Sequence, residues 1–306
     1  MNIVFMGTPS YARVILESLI KSHNIKALIC QTDKKAGRNM KLVMPDTKQF
    51  ILEYNEKNNT QVEILQPESF DASVIEQIRS FRADVIVVAA FGKILPKEVL
   101  EIAPCINLHA SILPQYRGAS PIQSAILNGD SNFGVTAMLM EEGLDCGDML
   151  GFSVINNNGQ NSDELFCELS SLAAKLLLQV LKRLDSIKPL KQESCMASYC
   201  SKIKKEFGEV SFLNLNSLIL ERKFLAYSSW PKVFLESGLR LVRLKACEVS
   251  SNNKMGEILQ ISKEGVVVAC KEGSVLITCV QAPSKKEISA YEYVQGKRMK
   301  VGDIFL

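Results

Sequence analysis

The first half of the chain alternates short apolar, β-branched runs with stretches of helical periodicity, and this rhythm limits the possible folds more than any other feature. Residues 2–6, 25–31, 62–65, 84–90 and 105–109 read as strands, and 11–20 as a helix with an apolar face. Positions 85–90 are apolar without interruption. A strand apolar on both faces must be covered on both, which calls for a parallel sheet between two layers of helices. A helix over 121–127, strands over 134–140 and 149–155 and a long helix over 163–184 continue the pattern, with Ser162 or Asn161 placed to cap the last helix.

Residues 185–199 hold a proline and mixed polar residues without either period, so the chain breaks into two domains there. The boundaries are 1–188 for the first domain, 189–207 for a linker and 208–306 for the second. Its predicted elements are a short strand over 209–212, a helix over 217–227, and strands over 240–249, 257–261, 266–269 and 275–280 at the spacing of a small antiparallel barrel. A total of 306 residues is enough for two such domains.

Nine cysteines lie singly, with no Cys-x-x-Cys pair, which argues against a disulfide framework and against a zinc site; no metal is expected. Residues 1–6 run straight into a strand without a basic leader, and no stretch of 18 apolar residues occurs. The expected setting is the cytoplasm, with no membrane contact. Net charge is only +3, but residues 191–306 carry 18 Lys and Arg against 12 Asp and Glu, whereas the rest carries 18 against 21. A basic last third suits a polyanionic partner.

There are two histidines. His23, among Lys21, Ser22 and Asn24, reads as a surface residue in a turn. His109 ends a strand on which alternation puts Asn107 and His109 on one face. Two polar side chains at the carboxyl end of a buried strand require a partner: a ligand, a water or a carboxylate. The segment Glu142-Gly143-Leu144-Asp145-Cys146-Gly147-Asp148 turns sharply at its glycines and offers Asp145 to the same rim. Such a trio can bind an oxyanion and orient a proton donor. The turn Met6-Gly7-Thr8-Pro9 has one glycine where a dinucleotide fingerprint needs three, and Pro9 removes an amide donor.

The run Asn107-Leu108-His109-Ala110-Ser111-Ile112-Leu113-Pro114-Gln115-Tyr116-Arg117-Gly118-Ala119-Ser120-Pro121, followed by Gly134-Val135-Thr136 and Gly143 to Asp148, closely resembles the signature of folate-dependent formyltransferases. Met6-Gly7-Thr8-Pro9, Ala36-Gly37-Arg38, Ala90 to Pro96 and Tyr227-Ser228-Ser229-Trp230-Pro231 narrow the resemblance to the methionyl-tRNA formyltransferase family and extend it over essentially the whole chain. Ile112 stands where the family usually has Leu, and Ser228-Ser229 replaces the common Asn-Pro.

The resemblance implies an α/β fold: a Rossmann-like, mostly parallel sheet with helices on both faces, plus a C-terminal OB-like β-barrel. The implied activity is transfer of the formyl group of 10-formyltetrahydrofolate, the co-substrate, to the amino group of initiator methionyl-tRNA, supporting translation initiation by a monomer. By the same resemblance Asn107 and His109 donate to the oxyanion, and Asp145 orients or charges His109. Folate is expected along Ser111, Ile112, Leu113 and Pro114 and near Phe91, Gly92 and Leu139. The basic loop 32–46 is expected to engage tRNA through Arg38, Lys34, Lys35 and Lys41, and the basic C-terminal domain to follow the tRNA backbone. Rival readings are a transferase acting on glycinamide ribonucleotide or an amino-sugar nucleotide, and a non-catalytic RNA-binding protein.

Overall fold

The computed structural model describes residues 1–36, 40–247 and 254–305. The chain divides into two compact units: Met1–Pro121, Asn132–Asn156 and Phe166–Ser201 form the first; Ile122–Ser131, Asn157–Leu165 and the chain from Lys202 onward form the second.

The first unit is built on a seven-stranded sheet. Its strands are β1 (Asn2–Gly7), β2 (Asn24–Ile29), β5 (Glu63–Leu65), β6 (Val85–Ala89), β7 (Cys105–His109), β9 (Asn132–Leu139) and β10 (Met149–Asn156), in the spatial order β10-β9-β7-β6-β1-β2-β5. The run from β7 to β5 is parallel, β9 lies antiparallel to β7, and β10 antiparallel to β9. All five residues of β6 are buried, as the unbroken apolar run requires of a strand between two parallel neighbours. The chain steps outward from β1 to β2 and β5, then returns to β6 on the other side of β1. Strand order therefore reverses between β1 and β6, and in open sheets of this kind ligands bind at the carboxyl ends beside that reversal.

Gly7 and Ala89 pair at those carboxyl ends. A β-carbon at Gly7 would lie 2.6 Å from the Ala12 side chain and 2.7 Å from the Ala89 carbonyl, so only glycine lets β6 and helix α1 (Ser10–Leu19) approach so closely.

Several elements were not anticipated. Residues 32–46, read as a loop, contain a hairpin of β3 (Lys34–Ala36) and β4 (Lys41–Val43). Helix α2 (Asp46–Asn58) buries only Thr47 and Ile51, so its apolar stripe is too thin to show as a pattern. Helix α3 (Ala72–Ser80) starts where the Asp71 side chain accepts from the Ser73 and Val74 amides. Helix α4 (Lys97–Leu100) is a single turn. A two-stranded piece joins β8 (Arg117–Gly118) to β11 (Tyr199–Cys200). Within the stretch read as a linker, Leu190 bridges Met149 and Gln192 is buried, so residues 189–201 pack into the first unit.

Helix α5 (Pro121–Asn128) lies almost wholly in the second unit, as does the start of α6 (Ser162–Arg183). Asn161, rather than Ser162, caps α6: its side chain accepts from the amides of Asp163 and Glu164, and Glu164 accepts in return from the Asn161 amide. The second unit then adds α7 (Ser217–Ala226), β12 (Arg240–Cys247), β13 (Ile258–Ser262), β14 (Gly265–Ala269), β15 (Ser274–Gln281), β16 (Ile288–Ser289) and α8 (Ala290–Gly296). The strands form a five-stranded antiparallel sheet in the order β12-β15-β14-β13 with β16 on β15. No strand forms over 209–212; Glu209 makes one isolated bridge to Phe234. Positions 248 and 249 of the expected strand lie outside the described residues. Helix α8 opens with a capping box between Ser289 and Glu292, a local signal the hydrophobic pattern did not carry. Among the described residues no helix is long and apolar enough to cross a membrane.

Candidate active site

Strand β7 carries the first two residues of the site. Ile106 and Leu108 are buried on one face, and Asn107 and His109 share the other. Asn107 lies beside Val88 of β6 and Met138 of β9, and His109 beside Thr136. His109 is 6% exposed, so its ring needs partners on the protein. Its Nε2 lies 2.9 Å from the Tyr116 carbonyl oxygen. A carbonyl only accepts, so Nε2 carries the hydrogen of that bond.

The third residue comes back from the loop after β9. Asp145 adopts a left-handed backbone, with φ of +48°, which is uncommon outside glycine and turns the carboxylate onto β7. Asp145 Oδ2 accepts a 2.9 Å bond from the Gly118 amide, and Oδ1 lies 3.4 Å from Asn107 Nδ2. His109 Nδ1 stands 3.6 Å from Asp145 Oδ2. That separation is beyond a direct hydrogen bond, at a carboxylate only 14% exposed. Amide, imidazole and carboxylate thus meet although they come from separate parts of the chain.

Gly118 supplies its amide from β8 with φ of +120°, and a β-carbon there would sit 2.2 Å from the Cys200 carbonyl oxygen. The residue must therefore be glycine for β8 to pair with β11 while its N–H reaches Asp145. Two further residues of the site carried no assigned role in the sequence. Thr136, fully buried on β9, accepts from the Leu113 amide at 3.1 Å and donates to the Ser111 carbonyl at 2.7 Å. A threonine in the apolar run of β9 was the available signal. Gln192 contacts both Arg117 and the Asp145 loop, and its aperiodic surroundings gave no signal at all.

Ser111, Ile112, Leu113 and Pro114 form the loop directly after β7, tied down by Thr136 and by a 2.6 Å bond from Ser111 Oγ to the Gln115 carbonyl. Ser111 and Leu113 are buried, whereas Ile112 and Pro114 are partly open. Phe91 follows β6, but its ring belongs to the apolar core with Val4, Met6 and Val88, leaving backbone as its reachable part. Its carbonyl accepts from Gln31 Nε2 at 2.7 Å, and the adjoining Gly92 is exposed. Leu139, at the end of β9, is half-buried and pairs with Ile106.

Lys34, Lys35 and Lys41 are exposed on the β3–β4 hairpin; Arg38 lies outside the described residues. The base of the hairpin is anchored by Asp33, which binds Lys48 Nζ through both oxygens at 2.9 Å and accepts from Gln66 Nε2 at 2.8 Å. The Lys48 and Gln66 hydrogen bonds hold the Asp33 carboxyl below the usual carboxylate range. Lys34 Nζ donates to Gln31 Oε1, whose own amide group holds Phe91. His23, expected as a surface residue, is only half-exposed, and its Nδ1 is buried without a hydrogen-bond partner.

Residues 1–181 match the formyl transferase family and residues 202–298 match the formyl transferase C-terminal domain. The chain is 48% identical over 307 residues to methionyl-tRNA formyltransferase of a Nitratiruptor species, covering 100% of both chains. The chain belongs to the methionyl-tRNA formyltransferase family. The member from Campylobacter lari is also 48% identical, over 99% of this chain and 98% of that one. Among solved structures, methionyl-tRNA formyltransferase from Clostridium thermocellum aligns with a TM-score of 0.53 at 19% identity, over 81% of this chain and 95% of that one. An N-formyltransferase from Helicobacter canadensis, in complex with folinic acid and dTDP-3-aminofucose, aligns with a TM-score of 0.67 at 16% identity, over 90% and 98%. HypX from Aquifex aeolicus, in complex with tetrahydrofolic acid, aligns over 98% of this chain with a TM-score of 0.62 at 16% identity, and the chain spans 48% of the length of HypX. These three likenesses establish the shared fold. The two-unit architecture, with a mostly parallel sheet followed by an antiparallel one, is that of a formyltransferase of this family.

Proposed function

We propose that the chain transfers the formyl group of 10-formyltetrahydrofolate to the amino group of the methionine esterified to initiator tRNA, and so supports translation initiation. The observation that carries this reading is the meeting of Asn107, His109 and Asp145, with Asp145 within 3.6 Å of both, in a chain of this family. Attack of a neutral amine on the formyl carbon places negative charge on oxygen and positive charge on nitrogen. As the carbon–N10 bond of the folate breaks, the amine gives up one proton and N10 takes one. The site must therefore relay a proton rather than absorb it.

Asn107 Nδ2 has two hydrogens, and only one is directed at Asp145, so the second is free for the developing oxyanion. His109 is the other donor, once its Nε2–H turns from the Tyr116 carbonyl to the oxyanion. The 3.6 Å between its Nδ1 and Asp145 admits no atom between them, and such contacts commonly tighten in the transition state. Asp145, held by the Gly118 amide, orients the ring. Folate is assigned to Ser111, Ile112, Leu113 and Pro114, Gly92, Leu139 and the backbone of Phe91, where apolar walls and exposed backbone groups suit a flat heterocycle. Residues 1–188 act as the catalytic domain and 208–306 as the tRNA-binding domain. The exposed Lys34, Lys35 and Lys41 neutralise tRNA phosphates, with Arg38 as the key residue of that loop. A monomer in the cytoplasm is the proposed working form, in keeping with nine free cysteines.

The test offers labelled formyl folate with methionyl-tRNA, glycinamide ribonucleotide and amino-sugar nucleotides in parallel. Transfer to methionyl-tRNA alone is expected. Preference for a small acceptor would refute the assignment, and transfer to none of them would favour a binding protein.

A further inference from the structure

Gln192 is 4% exposed, and its amide uses every hydrogen-bonding position it has. Nε2 donates to the Asp145 carbonyl at 3.0 Å and to the Gly147 carbonyl at 2.7 Å. Oε1 accepts from Arg117 Nε at 3.1 Å and Nη2 at 2.8 Å. This orientation is forced, because carbonyls only accept and a guanidinium only donates. Arg117 is itself 4% exposed and precedes Gly118, whose amide binds the Asp145 carboxylate. One amide thus grips the backbone that carries the carboxylate and, through Arg117, the strand that holds its oxygen.

The grip falls on a strained point. A non-glycine residue in the left-handed region is retained only where its surroundings over-determine it, and Asp145 is such a residue. Relaxation of that backbone would swing the carboxylate away from Asn107 and His109. We propose that Gln192 and Arg117 are positioning residues for formyl transfer: together they clamp the Asp145 loop in the conformation that presents its carboxylate to His109. This rests on the catalytic role assigned to Asp145 above. Glutamate cannot replace Gln192, although it matches the shape and pairs with Arg117, because it would press a carboxylate oxygen against two carbonyl oxygens.

A double-mutant cycle tests the clamp, with Gln192→Ala and Gln192→Glu each made in the natural chain and in Asp145→Ala. In the natural background kcat for methionyl-tRNA formylation is expected to fall roughly 100-fold, the scale of an ångström-sized misplacement. KM for methionyl-tRNA and the Kd of a tetrahydrofolate analogue should stay within about twofold, and in Asp145→Ala the same change should cost less than about threefold, since the two residues act as one unit. A Gln192→Ala kcat within about threefold of the natural chain, or equal losses in both backgrounds, overturns the clamp. If Gln192→Ala does not fold, Gln192→Glu and Arg117→Lys are read by the same criteria, and lowered Tm with kcat intact in both overturns it as well. Two controls separate this from the reading beneath it. A natural chain inert toward methionyl-tRNA, or an Asp145→Ala variant at full rate, refutes the assigned function and the clamp with it; lost coupling with both controls sound refutes the clamp alone.

Discussion

Replacing Thr136 by valine keeps the shape of the side chain and removes one oxygen. That oxygen accepts from the Leu113 amide at 3.1 Å and donates to the Ser111 carbonyl at 2.7 Å, in a residue with no solvent exposure. Ser111 is 3% exposed and Leu113 5%, so water reaches neither group easily. Each buried polar group left unpaired costs about 1–3 kcal/mol, so two cost about 2–6 kcal/mol, and partial relaxation of the loop brings the expected loss to about 2–4 kcal/mol. For a unit of this size that corresponds to a fall in Tm of roughly 4–16 °C. Thr136→Ser keeps both bonds and loses one methyl, a cost of about 1 kcal/mol. The one tryptophan, Trp230, belongs to the second unit, so its fluorescence does not follow the perturbed region. Far-UV circular dichroism and hydrogen exchange of peptides spanning 105–118 do. Valine should be clearly worse than serine, exchange should rise at Leu113, and affinity for a tetrahydrofolate analogue should fall. Equal destabilisation by the two substitutions would make methyl packing the cause, and a stable valine variant would refute the hydrogen-bond argument.

Three other outcomes follow from the same structure. His109→Ala should lower kcat by about 10²–10³-fold while folate-analogue affinity changes less than twofold, because the donor acts on charge that forms only in the transition state; equal losses in kcat and affinity would reassign His109 to binding. Tyr11 is 3% exposed, its hydroxyl lacks a partner, and burial pushes its phenol far above the ordinary range, so Tyr11→Phe should raise stability by about 0.5–1 kcal/mol in urea unfolding; a loss would reveal a bound water. Burial, followed by the N-terminal ammonium, lowers the pKa of His23 in the folded chain. The unfolded chain then binds the proton more readily, so stability falls as pH drops through about 6.5 and is unaffected above it. His23→Gln should flatten that part of a Tm profile taken between pH 7.5 and 5.5, and an unchanged profile would sink the assignment.

The strands and the parallel character of the sheet were largely written in the sequence, though their spatial order was not, because a central strand such as β6 is apolar throughout and alternation along β7 puts Asn107 and His109 on one face. Those are local, periodic consequences of backbone geometry. The hairpin β3–β4 and helix α2 escaped because they bury so little that no period develops, whereas α3 and α8 carried caps at Asp71 and Ser289, and α3 a short apolar face of Val74, Ile75 and Ile78 as well. Asp145 was legible as a turn residue near glycines and through the family resemblance; its left-handed φ and its grip by Gly118 were not. Gln192 lay in a stretch that looked like linker, and only packing made it part of the site. The sequence alone determined the parallel core and which residue types stand at the end of β7, since period and burial act over neighbours along the chain. Tertiary structure alone decided which distant donors hold the carboxylate there, because hydrogen bonds between remote segments leave no periodic trace.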